Sequence, residues 1–273
     1  MERYLFFDGS DKFSLRKRFY VVAGVVGELE TINKILGEAE REFGKISKKN
    51  RPKLALEVGE FFVNKVSDKF QINLFFWDNR LSEINAERIK NWVSKGNNIE
   101  NDFEKGKWGI IGRFWAQCQW LPVQNLKVNK FAPVLWMDKE EEIVIKICKD
   151  HFKNQTKDIE GSFIGVQHSD KPKNFSEKDL ERFLCIPDYL SYCLRQALNG
   201  RKNMFLNLYI SILNPFFTIF LMKLTKDRIQ TFQLKKKVDV KGPTKIEDVE
   251  VFFEEDNGEY FFTTKLSGGA NQA

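Results

Sequence analysis

The sequence predicts an α/β fold built on a mixed five-stranded sheet with helices on both faces. Two apolar runs, residues 4–7 and 19–26, are rich in strand-forming residues and flank a polar loop, which is typical of an antiparallel pair. Further apolar runs alternate with helical patterns, which indicates parallel crossover units. We therefore expect strands one to three to be antiparallel and the last two to be parallel.

The composition indicates a globular protein with a bias toward anionic partners. Of 273 residues, 42% are hydrophobic and 30% are charged, a balance that can build a core. The net charge of +6 favours nucleic acid or a membrane surface as partner. The four cysteines have neither zinc-knuckle spacing nor a disulfide pattern, and no secretory signal opens the chain. We therefore expect a cytoplasmic protein.

Histidine is scarce, which restricts the chemistry. His151 and His168 are the two histidines of the chain, so a site with several histidine ligands is excluded. Aspartate and glutamate are left as the catalytic groups.

The first half of the chain continues with two predicted helices and a third strand. An apolar stripe indicates a helix that ends at Gly44; its members are Leu29, Ile32, Leu36, Ala39 and Phe43. The basic residues that follow, at positions 45, 48, 49, 51 and 53, are interpreted as a solvated connection. Residues 53–66 are expected to be helical, although Gly59 is unfavourable there. Residues 70–77 are expected to form a strand.

The middle of the chain predicts helices over 86–93 and 103–121, the second facing the core through Phe114 and Cys118. Residues 131–137 then read as a strand that ends at Asp138 and leads directly into an amphipathic helix. His151 lies on the apolar stripe of that helix and is expected to be packed. A short strand over 162–167 follows. Pro187 suits the first turn of another helix.

The C-terminal part, residues 204–273, is expected to be an extension of a domain spanning 1–203. Residues 204–224 are long and apolar enough for a membrane span, but polar residues interrupt them, so we expect a buried helix broken at Asn214-Pro215 and no membrane contact. A pair of strands and a homodimer interface are the alternatives. Residues 252–262 predict a hairpin that turns at Asn257-Gly258, and the residues from Ser267 on are expected to be disordered.

Aspartates follow the ends of three predicted strands, at Asp8, Asp78 and Asp138, and Asp188 adds a fourth near a helix start. Carboxylates that meet at one sheet edge need a counter-charge, and hard oxygen ligands suit Mg²⁺ or Mn²⁺. Two such ions can activate water and stabilise the leaving oxygen in phosphodiester hydrolysis. The alternative is that these aspartates are unrelated turn and surface residues.

Several of these segments together resemble a known family. Asp8-Gly9-Ser10, residues 19–26, Asp138 after its strand, Ser169, and the run from Leu184 through Asp188 to Leu190 are similar to the family known as domain of unknown function 3800. That family resembles the ribonuclease H-like superfamily in fold. The similarity covers scattered patches of residues 3–198. It departs from the family pattern at Gly9, where a glutamate is expected, and at His168, Cys185 and Pro187, where aspartate, glutamine and alanine are expected.

The resemblance implies that Asp8, Asp138 and Asp188 are catalytic metal ligands for Mg²⁺ or Mn²⁺, whereas Asp78 has no counterpart. It implies a metal-dependent nuclease acting on RNA or DNA, in mobile-element or antiviral biology. Basic residues such as Arg16 to Arg18 would hold the nucleic-acid backbone. The alternative function is a non-catalytic nucleic-acid-binding or partner protein on the same fold.

Overall fold

A computed structural model describes most of the predicted core. The described residues are 3–9, 18–78, 114, 117, 118, 121, 134–137, 166–168, 177–201, 208–224, 229–237 and 249–266. The predicted helices over 86–93 and after Asp138 lie outside this set, as do His151 and the residues from Ser267 on.

The five predicted strands are adjacent in one mixed sheet, and their predicted directions are confirmed. They are β1 (Arg3–Gly9), β2 (Phe19–Glu28), β3 (Phe70–Asp78), β4 (Val134–Met137) and β5 (Val166–His168). Their order is β5-β4-β1-β2-β3, with β1 to β3 antiparallel and with β4 and β5 parallel to β1. The central strand β1 therefore carries Asp8 toward the edge at which β4 also ends.

The sheet has seven strands, two more than the five that were predicted. Strands β6 (Phe217–Leu224) and β7 (Ile229–Gln233) extend the sheet beyond β3 to seven strands. The buried side chains of β3 leave its outer edge in need of a partner. Strand β6 pairs there in parallel, and the Thr218 hydroxyl lies 2.6 Å from the Asn73 amide oxygen in that register.

The expected buried helix across residues 204–224 is wrong beyond the predicted break. Residues 208–211 are helical, and Asn214 then ends the turn by accepting the Phe216 N–H on its side-chain oxygen at 2.9 Å. A strand follows instead of a second helical segment. Among the described residues, no helix is long and apolar enough to cross a membrane. The division at residue 203 stays a prediction because residues 202–207 are not described.

Helical segments cover both faces of the sheet, as predicted. On one face, α1 (Leu29–Phe43), α2 (Arg51–Asn64) and α3 (Glu177–Leu198) share one core with the sheet. On the other face, the helical residues Phe114 and Cys118 are buried, and the Phe114 ring contacts those of Tyr20 and Trp77. Most side chains of β1, β2 and β3 are therefore buried, whichever face of the sheet they are on.

Helix α3 begins ten residues before the predicted start. Pro187 lies in its interior, where it cannot donate a hydrogen bond to the Phe183 carbonyl. Packing of the buried α3 residues onto the sheet outweighs this cost, a tertiary effect that the local sequence does not show.

Gly59, which is unfavourable in an isolated helix, is needed in α2 because that helix packs closely against α3. A Cβ at this position would lie 2.6 Å from the Cys193 Sγ.

The predicted hairpin is confirmed. Strands β9 (Val249–Asp256) and β10 (Glu259–Leu266) meet at Asn257 and Gly258, whose φ values of 51° and 79° fit an Asn-Gly turn. Strand β8 (Lys235–Lys236) pairs with β10 in a second, three-stranded sheet. Tyr260 docks this sheet on β7 through its ring contact with Phe232 at 4.7 Å.

Candidate metal centre

Asp8 is a buried carboxylate near the end of β1. It follows Phe6 on the strand face that packs against the helices, because side chains alternate along a strand. Asp8 is 6% exposed. Its Oδ1 accepts the Gly9 N–H at 2.8 Å, and its Oδ2 lies 3.2 Å from the Lys48 Nζ. The carboxylate is thus charge-compensated within the protein.

Asp188 reaches the same region from the interior of α3. It is 1% exposed, and its Oδ1 forms an ion pair with the Arg51 guanidinium. That guanidinium also lies 4.6 Å from the centre of the Tyr192 ring. A buried carboxylate needs such a partner because desolvation of an isolated charge is costly.

The segment 44–50, here called the α1–α2 loop, contacts Asp8 and the part of α3 that carries Asp188. Its backbone is attached to α3: the Tyr189 hydroxyl donates to the Ser47 carbonyl at 3.0 Å, and the Cys185 Sγ lies 3.9 Å from the Ile46 carbonyl. Lys48 of this loop pairs with Asp8, and Arg51, the first residue of α2, pairs with Asp188. The interpretation of the basic residues as a solvated connection was therefore wrong for Lys48 and Arg51.

Cys185 shows that Asp8 and Asp188 share one electrostatic environment. The pKa of this thiol is raised to about 12, mainly by burial and then by the negative charge of Asp188; Asp8 also raises it, and Lys48 lowers it. Burial also raises the pKa of the neighbouring Tyr189 to about 12. Both groups are therefore neutral near pH 7, and Cys185 is no thiolate nucleophile.

Asp78 lies apart from this pair. It ends β3 and is 2% exposed, and its Oδ2 accepts a hydrogen bond from the Arg18 Nε at 3.1 Å. Burial raises its pKa, and Arg18 counteracts that rise. Asp78 is opposite Phe19 on β2, whereas Asp8 is opposite Ala23, so the two are offset by roughly 13 Å along the strands.

Asp138, the third implied ligand, lies outside the described residues, as do Arg16 and Lys17. Strand β4 is described up to Met137, which is the register partner of Phe7. Among the described residues, no group of three or more histidine, cysteine or acidic side chains could hold a metal ion. As carboxylates, Asp8 and Asp188 are of the ligand type that Mg²⁺ takes in proteins, where it binds one or two carboxylates and keeps several waters.

The sequence reasoning missed the two cations that pair with these carboxylates. Lys48 and Arg51 belong to a run of basic residues around the start of α2. The signal that could have found them is this concentration of positive charge in a chain with several candidate carboxylate ligands, since clustered carboxylates require compensation.

Comparison with known proteins adds little. No protein-family model matches the chain, and no curated protein matches it. One solved structure, "Structure of the PCNA:RNase HII complex from Archaeoglobus fulgidus", contains a chain that is 16% identical and superposes with a TM-score of 0.35. The match covers 75% of this chain and 78% of that one. At this level of similarity the match carries no argument about fold or function.

Proposed function

We propose that this protein is a metal-dependent nuclease that hydrolyses phosphodiester bonds of RNA or DNA. The observation that carries the proposal is the pairing of Lys48 and Arg51, which lie three positions apart in the sequence, with two buried carboxylates, Asp8 from β1 and Asp188 from α3. They are 180 positions apart in the sequence, and burial of both has a cost that a binding function explains.

Asp138 completes the proposed ligand set. Met137, the last residue of β4, is the register partner of Phe7 on β1. Asp138 comes directly after Met137 in the sequence, as Asp8 comes directly after Phe7, and we include it in the ligand set on that ground.

In the proposed site each residue has a distinct role. Asp8, Asp138 and Asp188 would hold Mg²⁺ or Mn²⁺, which when bound lowers the pKa of an attacking water and stabilises charge on the scissile phosphate. Arg51 would orient Asp188 through their ion pair. The exposed cations of the α1–α2 loop would hold the phosphate backbone without reading bases. The proposal includes a cytoplasmic location and a role in mobile-element or antiviral biology.

Asp78 provides a matched control for testing the site. We expect Asp8→Asn and Asp188→Asn to abolish cleavage of labelled RNA, DNA or RNA–DNA hybrid in Mg²⁺ or Mn²⁺. Asp78→Asn removes an equally buried, arginine-paired carboxylate outside the site and should leave most of the cleavage rate. Cleavage by Asp8→Asn at the wild-type rate would contradict the assignment. Binding of the substrate should weaken steeply with salt.

A second candidate function is a non-catalytic nucleic-acid-binding or partner protein. The ion pairs favour it, because Lys48 and Arg51 neutralise Asp8 and Asp188 without any metal. This candidate predicts salt-sensitive binding of nucleic acid, no cleavage in either metal, and no increase of the melting temperature on addition of Mn²⁺.

A further inference from the structure

We propose that Lys48 is an exchangeable counter-ion of Asp8, which a divalent cation displaces when it binds. The Lys48 ammonium compensates Asp8 in the metal-free protein and would swing into solvent when the metal takes the carboxylate. This inference rests on the proposed metal site and concerns how that site is controlled.

The two ion pairs differ in the exposure of their cations. The Lys48 side chain is 52% exposed, whereas that of Arg51 is 20% exposed and stacks on Tyr192. An ammonium at the surface regains water when it leaves its partner, so its departure costs little. A guanidinium that is mostly buried against an aromatic ring loses both its partner and its packing if it leaves. Lys48 is thus the cation that can exchange.

The backbone of the α1–α2 loop can stay in place during the exchange. Ile46 and Ser47, directly before Lys48, are attached to α3 through Cys185 and Tyr189. Asn50, two residues after it, closes the loop by donating its side-chain amide to the Lys45 carbonyl at 2.9 Å. With both sides of Lys48 fixed, only its flexible four-carbon side chain has to move.

The charge of Lys48 also controls how readily a metal ion can bind to Asp8. Lysine and a divalent cation compete for the same Asp8 oxygens, so the metal must overcome the existing pair before it binds. The site would therefore stay compensated at low metal concentration and would release a mobile ammonium beside the carboxylates once the metal is bound. A released ammonium there can contact a phosphate of the substrate.

The test measures Mn²⁺ affinity by isothermal titration calorimetry at fixed ionic strength for the wild type, Lys48→Met, Lys49→Met and Asp8→Asn. Lys48→Met should bind Mn²⁺ roughly fivefold more tightly, because the competitor is gone. Lys49 is exposed and carries the same charge one residue along the loop. Its variant should change the affinity less than about twofold, since screening weakens charges that make no direct contact. Asp8→Asn should lose the binding.

A second measurement follows the accessibility of the Lys48 ammonium directly. Acetylation of Lys48 by a limiting acylating reagent, followed by mass spectrometry, should be faster with saturating Mn²⁺, and that of Lys49 should not change. Equal or weaker Mn²⁺ binding by Lys48→Met, or an unchanged Lys48 acetylation rate, would overturn the inference. If the wild type binds Mn²⁺ and Lys48 acetylation becomes faster, but no nucleic acid is cleaved, the exchange is supported and the proposed nuclease function is not.

Discussion

Replacement of Arg51 by methionine tests how strongly the Asp188 carboxylate depends on its partner. Methionine keeps an apolar stem beside Tyr192 but leaves the Asp188 charge, whose side chain is 2% exposed, without its counter-ion. Loss of one partner of a buried pair costs 3–5 kcal/mol, and the partial exposure of Arg51 favours the lower limit. We expect Arg51→Met to lower the free energy of unfolding by about 3 kcal/mol.

The assay is urea unfolding of metal-free protein, with Arg182→Met as the matched control. Arg182 pairs with Glu40 between partly exposed side chains, so its loss should cost less than about 1 kcal/mol. The double variant Arg51→Met, Asp188→Asn should be more stable than Arg51→Met alone, because the uncompensated charge is gone. Equal effects of Arg51→Met and Arg182→Met would refute the reasoning.

Three further predictions concern packing, ionisation and the hairpin. Gly59→Ala should lower the free energy of unfolding by about 1–3 kcal/mol, because its Cβ would clash with the Cys193 Sγ; urea unfolding measures this, and an unchanged midpoint would contradict it. The pKa of Asp78 should lie above 3.8 in a ¹³C NMR titration and rise further in Arg18→Met. Because the pKa of Asp78 is raised in the folded protein, protonation of this carboxyl stabilises the fold at low pH, and that stabilisation is lost as the pH rises through the folded-state pKa. Gly258→Ala should cost roughly 1 kcal/mol by urea unfolding, because φ is 79° there, and no loss would exclude that turn geometry.

Much of the fold could be predicted because local patterns and tertiary structure agree there. Strands β1 and β2 contain continuous apolar runs, and β3 alternates before it becomes apolar. Helix α1 has a single apolar stripe, and Asn257-Gly258 specifies a tight turn. Each of these signals lies within a few residues, so no knowledge of the partner segment was needed.

The predicted and observed structures differ where a segment distant in sequence determines the local structure. Strand β6 forms because β3 offers an edge, although its apolar run suits a helix equally well. Helix α3 continues through Pro187 because the sheet packs against it. Gly59, unfavourable in an isolated helix, is needed for the contact with Cys193. None of these partners is adjacent in sequence.

The candidate site was predictable as a set of residue types but not as a charge arrangement. Asp8 was selected by its place at a strand end, Asp188 by its place near a predicted helix start, and both by a family resemblance; their role as metal ligands stays a prediction. Their counter-ions Lys48 and Arg51 did not, because a basic loop reads as solvated unless the buried carboxylate beside it is known.

The central claim is that Asp8 and Asp188 bind one divalent metal centre. Anomalous diffraction at the manganese edge, from crystals grown with MnCl₂, tests it most directly. The account predicts an anomalous peak about 2 Å from carboxylate oxygens of both residues, with the Lys48 Nζ moved away from Asp8. Manganese peaks found elsewhere alone, with Lys48 still paired to Asp8 and Arg51 to Asp188, would contradict it.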